Sequence, residues 1–450
     1  MNNAPAASGW LQRVLARACE IYPEETRATL ASFLLVFLLM GSYYIVRPVR
    51  DALASNWTDA QVSWLWTFTF FLSTFAVTVY GAAISRMRFQ RLVPSVYGLF
   101  AISFVLFAIG AHTFTERTLL DKAFYLWVSL FSLFHISVFW SFMADTFSKP
   151  QATRLFGFIG AGASAGGILG PATASLLVGD FGTDALLLIA SAMVALTVPL
   201  VRWLQRLKVT DLHNQNVALD TANLAIGGNP LAGFAEFLQS RFLLAIGLFL
   251  FLYTCISAFV YFEMKNLFDV YDPETRTRIW ANMDLAVNSL TILIGVFATG
   301  RMAKYLGMPF TLASIPVLIG AGLLLLAAAP LVGMVVALQI IRRAGDYAVS
   351  RPAREMLFTV VDRETRFKAK PVIDIVIYRG GDMLSAWGFT ALTQGLGLGL
   401  AAVALVGAFI AALWALTGVY LGRQFNALAP ADALPVAAPH VDAAQVQRPR

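Results

Sequence analysis

The chain has 450 residues, 58% hydrophobic and only 13% charged, with a mean hydropathy of +0.69. A soluble domain is near half apolar and about a quarter charged, so the missing charge, more than the apolar excess, argues for a chain that crosses a membrane many times. The net charge of +7 does not imply a nucleic-acid partner, because the basic residues fall between apolar runs, as topology determinants do.

Residues 1–27 place Trp10, Leu11, Val14 and Leu15 beside Arg13 and Arg17, the pattern of a short interfacial helix. The first apolar run is too long for a signal-peptide core and lacks a small-residue cleavage site, so it is expected to remain as a helix. Runs long enough to span a bilayer lie near 28–50, 62–84, 92–111, 123–144, 155–178 and 184–204. After a polar connector they resume near 242–262, 279–299, 308–328, 331–357, 371–393 and 400–421. The predicted fold class is an all-α polytopic membrane protein with twelve transmembrane helices in two six-helix halves. The predicted division is an N-terminal cytoplasmic or interfacial segment 1–27, a bundle 28–204, a cytoplasmic linker 205–241, a second bundle 242–423 and a tail 424–450. The linker holds a turn signal at Gly227, Gly228, Asn229 and Pro230, and the Ala- and Pro-rich tail reads as disordered.

Lysine and arginine set the expected orientation. The even-numbered connections hold Arg86, Arg88 and Arg91; Lys149 and Arg154; Arg202, Arg206 and Lys208; Arg301 and Lys304; and Arg363, Arg366, Lys368 and Lys370. The odd-numbered ones are poorer, except near 263–278. Both termini are therefore expected in the cytoplasm, with the protein a multi-pass monomer in a bacterial inner membrane. Ile84-Ser85-Arg86-Met87-Arg88 after the second span is echoed by Thr299-Gly300-Arg301-Met302-Ala303-Lys304 after the eighth. Matching basic loops at corresponding places are what a duplicated bundle leaves. They resemble a degraded Gly-x-x-x-Asp-Arg loop of the major facilitator superfamily, with Ser85 in place of the acid.

Two segments carry one spelling, Tyr-x-x-x-Arg-Pro-x-Arg-acid. The first is Tyr43, Tyr44, Ile45, Val46, Arg47, Pro48, Val49, Arg50, Asp51; the second is Tyr347, Ala348, Val349, Ser350, Arg351, Pro352, Ala353, Arg354, Glu355. On a helix these offsets bring the aromatic, both guanidiniums and the carboxylate to one face. Ionisable groups at membrane depth are costly and mark a pathway or site by default. The competing reading is arginines snorkelling to headgroups, with Arg47 paired to Asp51 and Arg351 to Glu355. Snorkelling constrains neither the repeated spacing nor the proline.

In a facilitator bundle spans 1, 4, 7 and 10 line the central cavity, and the ionisable residues follow that partition. Span 1 has Arg47, Arg50 and Asp51, span 4 His135 and Asp145, span 7 Glu263 and Lys265, and span 10 Arg342, Arg343, Asp346, Arg351, Arg354 and Glu355. Spans 3, 6, 9 and 12 carry almost none. Arginine suits a phosphate or carboxylate because its planar fork gives two charge-assisted bonds and stays protonated. Arg47, Arg50, Arg351 and Arg354 are therefore the expected substrate-binding cations. Tyr43, Tyr44 and Tyr347 would stack or donate a hydrogen bond, or serve as packing aromatics. Asp51 and Glu355 would hold the guanidiniums until substrate displaces them, with Asp374 and Arg379 as further charge partners. Asp374, Tyr378 and Asp382 recur at i, i+4, i+8 on span 11, and span 8 adds Asn282, Asp284 and Asn288. Asp284, Asp374 and Asp382 are candidate proton or cation sites if transport is ion-coupled.

Some signals are discounted. The run Gly160–Gly167 followed by Gly170-Pro171 lacks the Gly-Lys-Ser/Thr of a phosphate-binding loop and reads as a close helix-packing stripe. His135 stands alone on an apolar face and reads as a packed core residue. Cys19 and Cys255 offer neither a disulfide framework nor metal spacing. No nucleophile–base constellation can be named, so an enzyme is the weaker class and no cofactor is expected.

Ile45–Leu53, IVRPVRDAL, resembles the first-span motif of the ATP/ADP translocase family of plastids and obligate intracellular bacteria. That family has Ile-Leu-Arg-Asp-x-Lys-Asp there, so Arg50 takes the place of its functional lysine. Asp346–Asp362, DYAVSRPAREMLFTVVD, is similar to the family's span-10 stretch, with Arg354 at the second lysine. Lys368-Ala369-Lys370, Ile373-Asp374, Arg379-x-Gly381 and Val138-Phe139-Trp140 also match. The family's span-4 acid is absent from Leu126-Trp127-Val128, and Glu263 matches its span-7 acid loosely. The resemblance implies a major facilitator fold and alternating-access exchange of a small anionic solute, a nucleotide or other phosphorylated compound. Two rival readings stay open. One is a proton-coupled carrier or exporter of a small organic solute, governed by Asp284 or Asp374. The other is a non-transporting membrane sensor or scaffold.

Overall fold

The computed structural model describes residues 21–86, 89–212, 214, 232–294, 302–329, 331–361, 365, 369–370 and 372–428, and the regular elements among them are all helical. The interfacial helix expected before residue 21, the turn at 227–230 and most of the tail lie outside the described residues. The first four helices are α1 (Thr26–Ala54), α2 (Asp59–Arg86), α3 (Phe89–Thr113) and α4 (Thr118–Thr146). One helical run, Lys149–Thr210, contains two spans, α5 (149–181) and α6 (183–210), separated at Gly182, whose φ of 72° and ψ of 179° leave the helical region. Glycine takes that positive φ without the cost a side chain would incur.

A short helix, Ala232–Gln239, precedes α7 (Arg241–Leu267), and α8 (Pro273–Ile294) and α9 (Gly307–Ala328) follow. α10 (332–357) is composite: Val332–Gly345, a π-helical turn Asp346–Ser350, then Arg351–Leu357. α11 (372–395) has π turns at both ends, Val372–Ile377 and Ala391–Gly395, around Tyr378–Thr390. α12 (Leu400–Leu428) runs past Gln424, the expected start of the tail. These are the twelve transmembrane helices of two six-helix halves. With twelve spans alternating in direction, the start of α1 and the end of α12 fall at one end of the bundle, the near end, and the connections at 55–58 and 268–272 mark the far end.

Among the described residues, seven helical stretches are long and apolar enough to cross a membrane, and one of them, Arg154–Thr210, is the α5–α6 pair. At 29 residues, α1 is about 44 Å long, more than the ~30 Å hydrocarbon core requires. Apolar side chains exposed on α3 (Leu99, Ile102, Leu106), α6 (Leu188, Leu196), α9 (Val317, Leu324) and α12 (Leu405, Phe409, Leu416) form the lipid-facing surface.

Buried apolar residues gather into two clusters. One runs through α1 and α3–α6, and the other is centred on α7–α12 with a few residues from α1, α2 and α4. Lipid supplies no hydrophobic drive between spans, so close packing has to hold them. The glycine stripe on α5 serves this purpose. A Cβ on Gly162 would sit 2.5 Å from the Phe33 carbonyl oxygen, one on Gly166 2.5 Å from that of Phe37, and one on Gly170 2.6 Å from that of Gly41. Backbone thus meets backbone along two turns, fixing α1 and the charged face it carries.

Candidate functional site: a basic cavity between the halves

A cavity of about 150 Å³ lies between the halves. α1 contributes Arg47, Arg50 and Asp51 to its wall, α10 contributes Gln339 and Arg342, and α11 contributes Tyr378, Arg379 and Asp382. Aromatic and hydroxyl groups complete it: Trp66, Thr69 and Phe70 from α2, Tyr125, Ser129 and Ser132 from α4, Ser257 and Tyr261 from α7. α2 and α11 therefore join the α1, α4, α7 and α10 expected from the sequence.

The spacing Arg47-x-x-Arg50-Asp51 lets one carboxylate serve two cations. Arg50 donates from Nη2 and Nε to Asp51 Oδ1 at 2.6 and 2.9 Å. Arg47 Nε lies 3.5 Å from Asp51 Oδ2, and its Nη1 lies 3.6 Å from Asp284 Oδ1 on α8. Asp284 also receives Arg343 Nη1 of α10 at 2.5 Å. The result is an alternating chain, Arg50–Asp51–Arg47–Asp284–Arg343, that crosses from one half to the other. Isolated buried charges would be prohibitive, and alternating signs make the array tolerable. Satisfaction is incomplete: Arg343 Nε and Nη2, Arg47 Nε and Asp284 Oδ2 make no hydrogen bond among the described residues.

Aromatic faces support the cations. Arg50 lies 5.4 Å over the Tyr125 ring, and Arg47 lies 5.9 Å over each of Tyr43 and Tyr44, distances at which the ring quadrupole attracts a cation. Tyr43 in turn stacks at 4.7 Å on His135, whose Nδ1 meets the Phe131 carbonyl at 2.9 Å, so His135 is part of the packing under the site. Across the cavity Arg379 is 3.8 Å from Asp382. Arg342 is buried and bonds only neutral groups, Gln339 Oε1 at 2.9 Å and the Tyr253 hydroxyl at 3.4 Å.

A buried charged cavity inside an apolar helical shell is the arrangement of a solute carrier, and the sequence comparison agrees. The Major Facilitator Superfamily profile matches residues 32–349. The chain belongs to this superfamily. It is thus a multi-pass membrane transporter rather than an enzyme. No curated protein matches it in sequence. Solved structures share the fold at low identity. The nucleoside transporter NupG matches with a TM-score of 0.62 and 15% identity over 89% of this chain and 99% of that one. A bacterial homolog of the human lysosomal transporter Spinster, inward-facing and unoccupied, matches at 0.58 and 14% over 92% and 100%.

In this facilitator the second copy of the arginine motif lies away from the cavity. Arg351, 49% exposed, is 3.6 Å from Asp346 and rests over the Tyr347 ring at 5.0 Å; it is not paired with Glu355. Arg354 reaches Asp374 at 3.1 Å and Glu355 at 3.5 Å, while Lys370 Nζ donates to Glu355 at 2.5 Å. This second cluster sits nearer the near end. The regular i, i+4, i+8 series on span 11 is broken as well, because the π turn at Val372–Ile377 separates the phase of Asp374 from that of Tyr378 and Asp382.

The far end is closed by polar contacts that the sequence alone does not reveal. Lys265, fully buried, lies 2.9 Å from Asp59 and donates to the Trp57 carbonyl at 2.8 Å. Thr393 adds a bond to Asp59 at 2.9 Å, Ser63 meets Thr390 at 2.8 Å, and Trp387 donates to Thr67 at 3.0 Å. Arg276 holds the Phe268 carbonyl at 2.9 Å and bonds the Asn56 side chain across the halves. Tyr125–Tyr261 at 3.3 Å and Ser175–Asn282 at 2.6 Å continue the seam. Among the described residues these cross-half bonds lie at cavity depth or beyond it toward the far end. Glu263, one turn before the end of α7, is buried with both carboxylate oxygens unpartnered among the described residues.

Asp59 is the residue of this set that the sequence does not single out, while Lys265, Arg342 and Arg343 stand out there only as ionisable residues on the cavity-lining spans. The available signal was the pair Arg342-Arg343 in mid-span, where a cation needs a reason to be.

Proposed function

We propose that this transporter moves a small anionic solute by alternating access, with Arg47 and Arg50 as binding cations and Asp51 and Asp284 as the carboxylates that hold them between cycles. The observation that carries the reading is the cavity wall, where Arg47, Arg50, Arg342 and Arg379 stand against Asp51 and Asp382. The resemblance of IVRPVRDAL to the nucleotide translocases supports a phosphorylated cargo. Bundles 28–204 and 242–423, joined by the 205–241 linker, are the proposed rocking units about the cavity. With both termini and the basic connections in the cytoplasm of a bacterial inner membrane, the closed far end is periplasmic and this state faces inward. Arg351, Arg354, Glu355 and Asp374 form a second station on the cytoplasmic path, and the chain acts as a monomer.

The experiment is uptake into proteoliposomes of labelled nucleotides, sugar phosphates and carboxylates. Arg50→Gln is expected to abolish uptake of the transported anion at unchanged expression. Wild-type rates in this variant would end the reading. Glu263, unpartnered among the described residues, favours one alternative, a proton-coupled carrier of a small organic solute in which Asp284, Asp374 or Asp382 also exchanges protons. In that case a pH gradient alone drives uptake, and Arg50→Gln leaves it running.

A further inference from the structure

The cavity's guanidiniums differ in one respect. Arg47 has Asp51 and Asp284, Arg50 has Asp51, Arg343 has Asp284 and Arg379 has Asp382 within ion-pair distance. Arg342 is 97% buried, lines the cavity, and has no carboxylate at that distance among the described residues. Its partners, the Gln339 amide oxygen and the Tyr253 hydroxyl and ring (5.7 Å), fix the orientation of the fork without neutralising it. A desolvated cation held in place with no carboxylate in ion-pair contact, Asp51 and Asp382 being the acids it shares the wall with, is a site that favours an arriving negative charge.

The wall as a whole sets how much charge that ligand carries. Its four arginines face two aspartates, leaving two positive charges uncompensated, and the Asp284–Arg343 pair behind it adds none. A monoanion leaves a buried cation bare, and a triphosphate brings excess negative charge. The volume is of the order that holds one benzene ring in an enclosed cavity, which favours a compact cargo. Tyr125, Tyr261, Tyr378 and Trp66 supply an aromatic lining compatible with such a ring.

We infer that Arg342 is the anchor for the cargo's anionic group and that the cargo is a compact dianion with one planar ring, of the aryl phosphate type. This rests on the anion reading above and narrows it away from full nucleotides.

The test uses purified full-length protein, with thermal shift and tryptophan fluorescence reporting titrations of phenyl phosphate, benzoate, ATP and adenosine at pH 8, where a phosphomonoester is doubly charged. Phenyl phosphate is expected to bind at least tenfold tighter than benzoate or ATP. Arg342→Gln is expected to weaken it at least tenfold, and Arg342→Lys to recover part of the loss. Should the Gln variant fail to fold, the wild-type ranking and the Lys variant still decide. Benzoate or ATP binding as tightly as phenyl phosphate overturns the dianion assignment, and wild-type affinity in Arg342→Gln overturns the anchor. Adenosine binding as tightly as any anion, or no anion binding at all, overturns the anion reading itself.

Discussion

The same nine-residue spelling occurs twice, and the two copies live in different surroundings. In α1 it lies on uninterrupted α-helix, and Arg47, Arg50 and Asp51 reach the cavity together. In α10 it straddles the junction from π turn to α-helix, and Arg351 is half-exposed while Arg354 belongs to a cluster with Glu355, Lys370 and Asp374. Direction accounts for the depth. α1 and α10 are antiparallel, so a motif near the C-terminal end of each must fall at opposite ends of the bundle. Phase accounts for the rest, because a π turn inserts an extra residue and rotates the helix beyond it. The cation that α10 does present to the cavity, Arg342, lies nine residues before Arg351, about 13 Å of helix rise.

Asp284→Asn tests the α1 side of this comparison most severely. It removes the carboxylate shared by Arg47 and Arg343, and breaking a buried pair typically costs about 3–5 kcal/mol. A Tm drop of several degrees in detergent and loss of uptake are expected. A Tm within about 1 °C of wild type, the scale of roughly 1 kcal/mol in a protein this size, would show that the chain of charges carries little stability. Next comes Arg50→Gln, for which uptake should fall at least a hundredfold with the fold intact, measured in proteoliposomes. Gly166→Val would push α5 off α1 and rotate the first copy away from the cavity. Overpacking of this kind costs roughly 1–3 kcal/mol, readable as a lower Tm together with weaker anion binding. Arg354→Gln removes one member of the near-end cluster and should slow uptake about tenfold without changing equilibrium affinity for the cavity ligand. Arg351→Gln closes the series: a half-exposed ion pair is worth about 0–1 kcal/mol, so uptake within threefold of wild type is expected. An Arg351 effect as large as that of Arg50 would mean that the two copies act alike and that the difference in their surroundings is functionally idle.

Much of the architecture was legible because a bilayer imposes length and hydropathy on every span. The predicted run 28–50 is contained in Thr26–Ala54, 242–262 in Arg241–Leu267, and 308–328 falls within a residue of Gly307–Ala328. The site was legible in part. A charge inside an apolar run announces itself, which is why Arg47, Arg50, Asp51, Asp284, Arg379 and Asp382 could be named as candidates from sequence. Depth, phase and partnership could not be read from spacing. Arg342 and Arg343 are neighbours in sequence, yet one meets a carboxylate and the other meets neutral groups. Lys265 and Asp59 are brought together only by the docking of α7 on α2, and nothing local in either segment announces that contact.

By itself the sequence determined that this chain is a bundle of membrane-spanning helices with cations inside it, since hydropathy and charge are properties of each segment alone. Which cations share a cavity, which are already paired, and which one waits for a counter-charge were decided only in the tertiary structure. Those properties depend on distances between helices far apart in the chain, and a buried charge takes its meaning from the charge beside it.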